Sequence, residues 1–383
     1  MAYFPEPLIA PRFLREGGGV VSSNERDLLK LIWRNPGLSR SEVTAHTDLT
    51  QQSVYRIIDQ LEERGIVSFG SPKPGAGRGQ PSPTLRLDGR YAYSCGISVN
   101  TDVIGICLMD ISGNVLAESS IALRERTMAQ ALDLVREQLI EHQRANNLSE
   151  EAFFGIGFAI AGFHVSGTRF NAPLPLHEWS LIELGPLLSE FFNKPVWVHN
   201  GAKTGAIAES MFGVGRYMKH FAYLSFNYGF GGGLITNGEL LHNGIGNAGE
   251  FSGIYDAEEN KRRPALQYLI EKLNRNGVDV PSISYMRKHF DRKWPGVTEW
   301  VDEVTPAYNR LINAIWAIYD PQSIIFGGQV PYALAQMLID RTEIYDRPRY
   351  GVPRPRPKLV ISEIASDASA MGAAVTPFKS AYY

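Results

Sequence analysis

From about Tyr91 onward the chain runs twice through one grammar, apolar strand-like stretches alternating with helix-spaced segments and punctuated by glycine. The first pass reads as a strand pair over 93–109, a turn at Asp110-Ile111-Ser112-Gly113-Asn114 and a strand over 115–123. A helix over 129–146 follows, with Ala131, Leu132, Leu134, Val135 and Leu139 at helical spacing. The apolar run 154–160 suits a strand buried on both faces, and a helix over 181–192 leads to strand 196–198. The second pass opens with strand 220–226, a glycine turn at Gly229-Phe230-Gly231-Gly232-Gly233 and a returning strand over 234–236. Helix 306–319, strand 323–326, Gly327-Gly328 and a last helix from about Ser366 complete it. Two like halves predict an α/β, bilobal body with a cleft between the lobes, where ligands usually bind.

A different pattern precedes this body. Residues 1–21 are punctuated by proline and glycine and read as a mobile arm or a packing extension. Ser22-Ser23-Asn24-Glu25 fits a capping box, followed by Leu28, Leu29, Ile32 and Trp33 on one helical face. Asn35-Pro36-Gly37 stops that helix, and Ser39 with Glu42 forms a second capping box. A third helix over 51–64 places Val54, Ile57, Ile58 and Leu61 on its buried face. Its opposite face carries Gln51, Gln52, Ser53, Tyr55 and Arg56, side chains suited to base edges and phosphates. Strand 65–69, a proline- and glycine-rich tip and strand 84–87 then form a wing. Lys73, Arg78 and Arg86 make the stretch 65–87 purely basic, and glycines beside Arg78 let the backbone approach a groove. The bland alternative is a small helical protein-interaction or dimerisation module with a polar exposed helix face; the wing favours DNA. Lys73, Arg78 and Gln80 join the third-helix residues as expected DNA contacts. The expected units are an arm over 1–21, a winged helix-turn-helix over 22–88 and the bilobal body over 89–383.

Composition sets limits. The formal net charge is −2, so DNA binding must rest on local charge and shape. The N-terminal stretch does not read as a secretory signal, and no run of about 18 apolar residues predicts a membrane span. Cytoplasmic residence is the expectation. Cys95 and Cys107 fall on neighbouring strands and read as two buried thiols rather than a disulfide.

Several segments, in order along the chain, resemble the ROK family of repressors, open reading frames and sugar kinases. They are Gly155-Ile156-Gly157-Phe158-Ala159-Ile160-Ala161-Gly162, Asn171-Ala172-Pro173 with Trp179, and Pro195-Val196-Trp197-Val198-His199-Asn200. Asn237-Gly238, Gly246-Asn247-Ala248-Gly249-Glu250, Asp320-Pro321 with Gly327-Gly328, and Gly372-Ala373-Ala374 follow. The Gly/Arg-rich wing tip before Pro81-Ser82 resembles that of the family's repressors. The resemblance implies an actin-like ATPase (ribonuclease H-like) fold for the body.

It also marks departures. The family's kinases draw their base from the Asp of an Asn-Asp-Ala-Asn motif, and this chain reads Asn200-Gly201-Ala202-Lys203. Glycine cannot take a proton from a sugar hydroxyl. Ser98 stands where the phosphate loop resembles Asp-x-Gly-x-Thr, and Gly253 stands at the histidine of the family's zinc site, with no cysteine beyond Cys107. No catalytic residue, metal site or cofactor is therefore expected. The resemblance places Asn200 and Glu250 at sugar-contacting positions, with Asn171 and an apolar wall at Trp179 or Trp197 beside them. Both polar residues could instead satisfy backbone groups near the hinge. The segment 256–263 reads as a solvated loop.

The expected function is a repressor-type transcriptional regulator bound to a duplex DNA operator as a homodimer or homotetramer, with a small carbohydrate as ligand. The rivals are an active sugar kinase with an accessory DNA-binding head, and a ligand-independent DNA-binding protein whose body only oligomerises.

Overall fold

The computed structural model describes residues 8–72, 82–123, 125–242 and 244–383. The head is built from helices α1 (Ser23–Arg34), α2 (Arg40–Ala45) and α3 (Gln51–Glu63), with a hairpin of β1 (Val67–Gly70) and β2 (Thr84–Leu87). Ser22 and Ser39 close reciprocal capping boxes with Glu25 and Glu42, and the Thr50 hydroxyl accepts from the Ser53 amide. Three orphan helix starts are thus satisfied by local side chains. Leu28, Leu29, Ile32, Val43, Val54, Ile57, Ile58, Leu61, Ile66 and Leu85 bury together as the head core.

Residues 8–21 act as a packing extension rather than a free arm. Phe13 is fully buried and meets Tyr91 and Phe154 edge-on, with ring centroids 5.7 and 5.1 Å away. Arg64 donates to the Val20 carbonyl at 2.8 Å and pairs with buried Glu25 at 3.3 Å, tying this segment to α1 and α3.

The first lobe contains β3 (Tyr93–Val99), β4 (Val103–Asp110), β5 (Val115–Ala122), α4 (Met128–Ala145) and β6 (Phe153–Ile160). The small hairpin β7 (Phe163–Ser166) and β8 (Arg169–Asn171), α5 (Leu184–Phe192) and β9 (Val196–Asn200) follow. After α6 (Gly201–Phe212), the second lobe runs through β10 (Phe221–Phe226), β11 (Phe230–Thr236) and β12 (Glu239–Leu240). Four helices come next: α7 (Ala257–Asn260), α8 (Leu266–Arg275), α9 (Ile283–His289) and α10 (Val297–Tyr319). The chain ends with β13 (Ser323–Gly328), α11 (Tyr332–Asp340), β14 (Lys358–Ile361) and α12 (Ala368–Ala381).

The two sheets are ordered β5-β4-β3-β6-β9 and β12-β11-β10-β13-β14. In each, the first three strands in chain order pair antiparallel and the fourth and fifth add in parallel. The duplicated topology is that of the bilobal actin-like fold. Between the lobes, α6 and α12 cross closely because their contact is glycine. A Cβ at Gly372 would overlap the Thr204 carbonyl, and one at Gly157 would overlap that of Ala373.

Three local expectations change. Gly231, Gly232 and Gly233 lie inside β11 rather than in a turn, because a Cβ at Gly232 would strike Phe251 and one at Gly233 would strike Ala206 of α6. Glycine is required there by close packing. Pro306 does not open its helix but lies inside α10; the Asp302 carbonyl it leaves unpaired belongs to an exposed residue and can turn to water. Within 256–263 a short helix forms, capped by Asp256 and pinned by an Arg310–Glu259 ion pair.

Cys95 and Cys107 are free and buried on opposite faces of the first sheet, since Cys95 pairs with Leu108 and Cys107 with Gly96. Burial pushes the Cys95 thiol up to about 12.

Candidate functional site

Two regions assemble the predicted residues. The first is the face of α3. Gln51, Gln52 and Arg56 are exposed there, while Ser53 and Tyr55 are half-buried. Ser53 is partly spent on local structure, since its hydroxyl accepts from Thr50 at 3.0 Å. Sequence reasoning missed Arg40, at the first turn of α2. Its guanidinium lies 5.4 Å from the Tyr55 ring centroid and 4.8 Å from that of Phe69, and it also bonds Asp59 of α3. Arg40 thus stands between α3 and the wing, a geometry suited to a phosphate that bridges the two. On the hairpin, Arg86 donates to Ser68 at 3.3 Å. Lys73, Arg78 and Gln80 lie outside the described residues.

The second region is a half-open cavity of about 930 Å³ lined jointly by head and body. Arg26, Asp27 and Lys30 of α1 form one wall. Also lining it are His199, Asn200, Lys203 and Ile207 on β9 and α6, and Thr376, Lys379, Ser380 and Tyr383 at the end of α12. Glu239, His242 and Gly246 come from β12 and the segment after it.

Asn200 lines this cavity, but its side chain caps α6. Its Oδ1 accepts from the amides of Ala202 at 2.9 Å and Lys203 at 3.1 Å, and its Nδ2 donates to the Gly162 carbonyl at 2.7 Å. Glu250 is partly buried outside the cavity wall. Burial raises its carboxyl above the ordinary value, opposed by the nearby Lys203 ammonium. The structure does not bring Trp179 or Asn171 to the cavity. Trp179 stacks on Phe158 at 5.8 Å inside the first lobe, and exposed Asn171 pairs with Phe163 on the β7–β8 hairpin. Trp197, the other expected wall, is fully buried and stacks on Phe154 at 5.6 Å.

The charged groups that matter here were not singled out from sequence. Lys203 is 4% exposed and donates to the Gly246 carbonyl. Burial lowers its ammonium below the ordinary lysine value, and Glu250 partly offsets this. Glu239 accepts from both Lys30 of α1 and Lys379 of α12, with Arg34 of α1 at 3.7 Å. Burial alone would raise the Glu239 carboxyl, but Lys379 and Lys30 hold it below the usual range. The His199 imidazole is pushed down to about 3, first by burial and then by neighbouring positive charge including Lys203. It is neutral at physiological pH.

The phosphate-loop position carries Ser98, whose hydroxyl donates to Asp367 at the start of α12 at 2.6 Å. At Gly201 a Cβ would have the Ile160 carbonyl and the Ser369 hydroxyl as its nearest neighbours, 3.8 and 3.9 Å away. That position has room for a side chain but no acid or base. No helix among the described residues is long and apolar enough to cross a membrane.

Comparison with known proteins accounts for both parts. Residues 22–68 match the winged helix-turn-helix DNA-binding model, and residues 94–262 match the model of the ROK family. The chain is 28% identical to the xylose repressor of Caldicellulosiruptor bescii, over 76% of this chain and 73% of that protein. It is 26% identical to the DNA-binding transcriptional dual regulator NagC of Escherichia coli K12, over 81% of each. A crystal structure of a ROK family transcriptional regulator, described as a homolog of the E. coli MLC protein, superposes with a TM-score of 0.70 at 19% identity. That match covers 94% of this chain and 96% of the other. This chain carries a ROK family domain behind an N-terminal winged helix-turn-helix.

Proposed function

We propose that the protein is a sequence-specific DNA-binding transcriptional regulator of repressor type, with a body that senses a carbohydrate-related ligand without phosphorylating it. The observation that carries this reading is the exposed set Gln51, Gln52 and Arg56 on α3, held by a capped three-helix frame. In this reading α3 enters the major groove, and the wing, with Lys73, Arg78 and Gln80, meets the adjacent backbone and minor groove. The units are the arm over 1–21, the head over 22–88 and the body over 89–383. Two heads on a homodimer or homotetramer read two half-sites, and the protein works in the cytoplasm.

Similarity to a xylose repressor supports the carbohydrate link. Gly201 and Ser98 support a body without phosphoryl transfer, since neither supplies a carboxylate to a sugar hydroxyl or a phosphate loop. Glu250 remains the sugar-facing acid, while the hydrogen bonds of Asn200 make it first a helix cap.

The test is selection of duplexes from a random pool by the full-length protein, followed by anisotropy titration at fixed salt. A recurring two-half-site sequence, bound at least about 10³-fold more tightly than random DNA, is expected. A ligand that shifts this affinity by about 5–150-fold would identify the sensed sugar. No enrichment over random DNA overturns the DNA reading, and sugar-dependent ATP turnover overturns the non-kinase reading.

A further inference from the structure

The cavity between head and body has a charge balance that a neutral sugar does not need. Its walls carry four basic side chains, Arg26, Lys30, Lys203 and Lys379, against two acidic ones, Asp27 and Glu239. Arg26 is engaged with the carbonyls of Ser380 and Ala381 at 2.9 and 3.1 Å, which fixes α1 to the end of α12. Of the other three, two share one acid. Glu239 alone serves Lys30 and Lys379 and also has Arg34 nearby. Lys203, nearly sealed from solvent, gives its ammonium to a backbone carbonyl, and the acid that partly offsets its burial, Glu250, lies outside the cavity wall. An ammonium has three donors. Such a group in a poorly solvated wall favours an incoming anion more than the same lysine would on the surface.

We infer that this cavity is an effector site for a small polyhydroxylated anion, a sugar acid or a sugar phosphate. The anionic group sits among Lys203, Lys379 and Lys30, and the hydroxyls meet His199, His242 and the Gly246 segment. The two imidazoles suit hydroxyls, each offering one donor and one acceptor when neutral. Burial holds both below the ordinary histidine value.

The wall composition gives the site its consequence. Lys30 belongs to α1 of the DNA-binding head, whereas Lys203 and Lys379 belong to α6 and α12 of the body. An anion that draws on all three competes with Glu239, which now bridges the same two units. Binding thereby biases the seating of the head on the body. This coupling rests on the DNA-binding reading, whereas the site itself does not.

Calorimetry on the full-length protein tests the site directly, with D-glucose, D-gluconate, D-glucose 6-phosphate and inorganic phosphate as probes. Gluconate or glucose 6-phosphate should bind at least about tenfold more tightly than glucose and more tightly than inorganic phosphate. Whichever of the two binds identifies the source of the charge. Lys379→Gln should weaken that binding about tenfold, whereas Glu239→Gln, which frees the lysines, should strengthen it. A merely structural role for Glu239 would not raise affinity. The inference is overturned if neither anion binds more tightly than glucose, or if both variants leave anion affinity unchanged. Because no DNA is present, failure here leaves the DNA-binding reading standing, and failure to select an operator leaves this site standing.

Discussion

Trp33 of the head stacks on Tyr383 of the body, with ring centroids 5.5 Å apart and planes 20° from parallel. Phe212 meets the same indole edge-on at 5.9 Å, and the Tyr383 hydroxyl donates to the Ile111 carbonyl at 3.2 Å. The head is therefore seated through an aromatic contact as well as through the Glu239 ion pairs. A stacked pair contributes about 0.5–1.5 kcal/mol beyond the area it buries. Denaturation of Trp33→Ala, Tyr383→Ala and the double variant should give a coupling energy near 1 kcal/mol. Additive losses would mean that the stacking is incidental to seating.

His199 gives the fold a dependence on acid. Its imidazole stays neutral in the folded protein down to about pH 3, whereas an unfolded chain takes up a proton near the usual histidine value of about 6.5. Between those values unfolding binds a proton, so stability falls as the pH drops from about 6.5 toward 3 and is fully present above that window. Urea titrations from pH 7.5 to 4.5 should show this decline, and His199→Gln should flatten it. An unchanged slope in the variant would place the acid sensitivity elsewhere.

What the sequence made legible follows from how local each signal is. The capping boxes at Ser22 and Ser39 involve residues three apart, and both form as read. The two similar halves were legible in outline because buried strands announce themselves as apolar runs. The glycines of β11 misled because a turn and a tightly packed strand use glycine for different reasons, and only the neighbouring Phe251 and Ala206 distinguish them. The cavity was not legible. Lys30 and Glu239 are 209 positions apart, and no periodicity links residues brought together by a docked head. The one available signal was Lys203, a lysine that precedes the small residues Thr204, Gly205 and Ala206 in a largely buried helix.

On α3 the exposed arginine and its neighbour on α2 should separate by what they read. If Arg56 contacts a base edge, Arg56→Ala costs about 1–3 kcal/mol on the preferred operator and relaxes preference at one position. Arg40 is fixed over Tyr55 and Phe69, so Arg40→Ala should weaken binding to all sequences alike and lower the salt dependence by about one phosphate contact. Anisotropy titrations on the operator and on single-base variants at several salt concentrations distinguish the two patterns. A uniform loss from Arg56→Ala would make it a second phosphate contact.

Restoring the missing carboxylate tests whether one residue separates this body from a kinase. Gly201 lies outside the left-handed backbone region and a Cβ there would meet its neighbours only at ordinary van der Waals distance, so Gly201→Asp should fold. An acid in the first turn of α6 also faces the positive end of the helix, which should leave stability unchanged or raise it by about 0.3–1 kcal/mol. Sugar-dependent ATP turnover should nevertheless stay at background. Ser98 still occupies the phosphate-loop position and bonds Asp367, and Lys203 fills the end of the motif with its ammonium turned to Gly246. A positioned base contributes about 10²–10⁴-fold, but only where the phosphates are also held. A coupled ATPase assay of the variant across a panel of sugars decides the matter. Turnover well above background would show that the phosphate side of the cleft is intact and that Gly201 alone silences it.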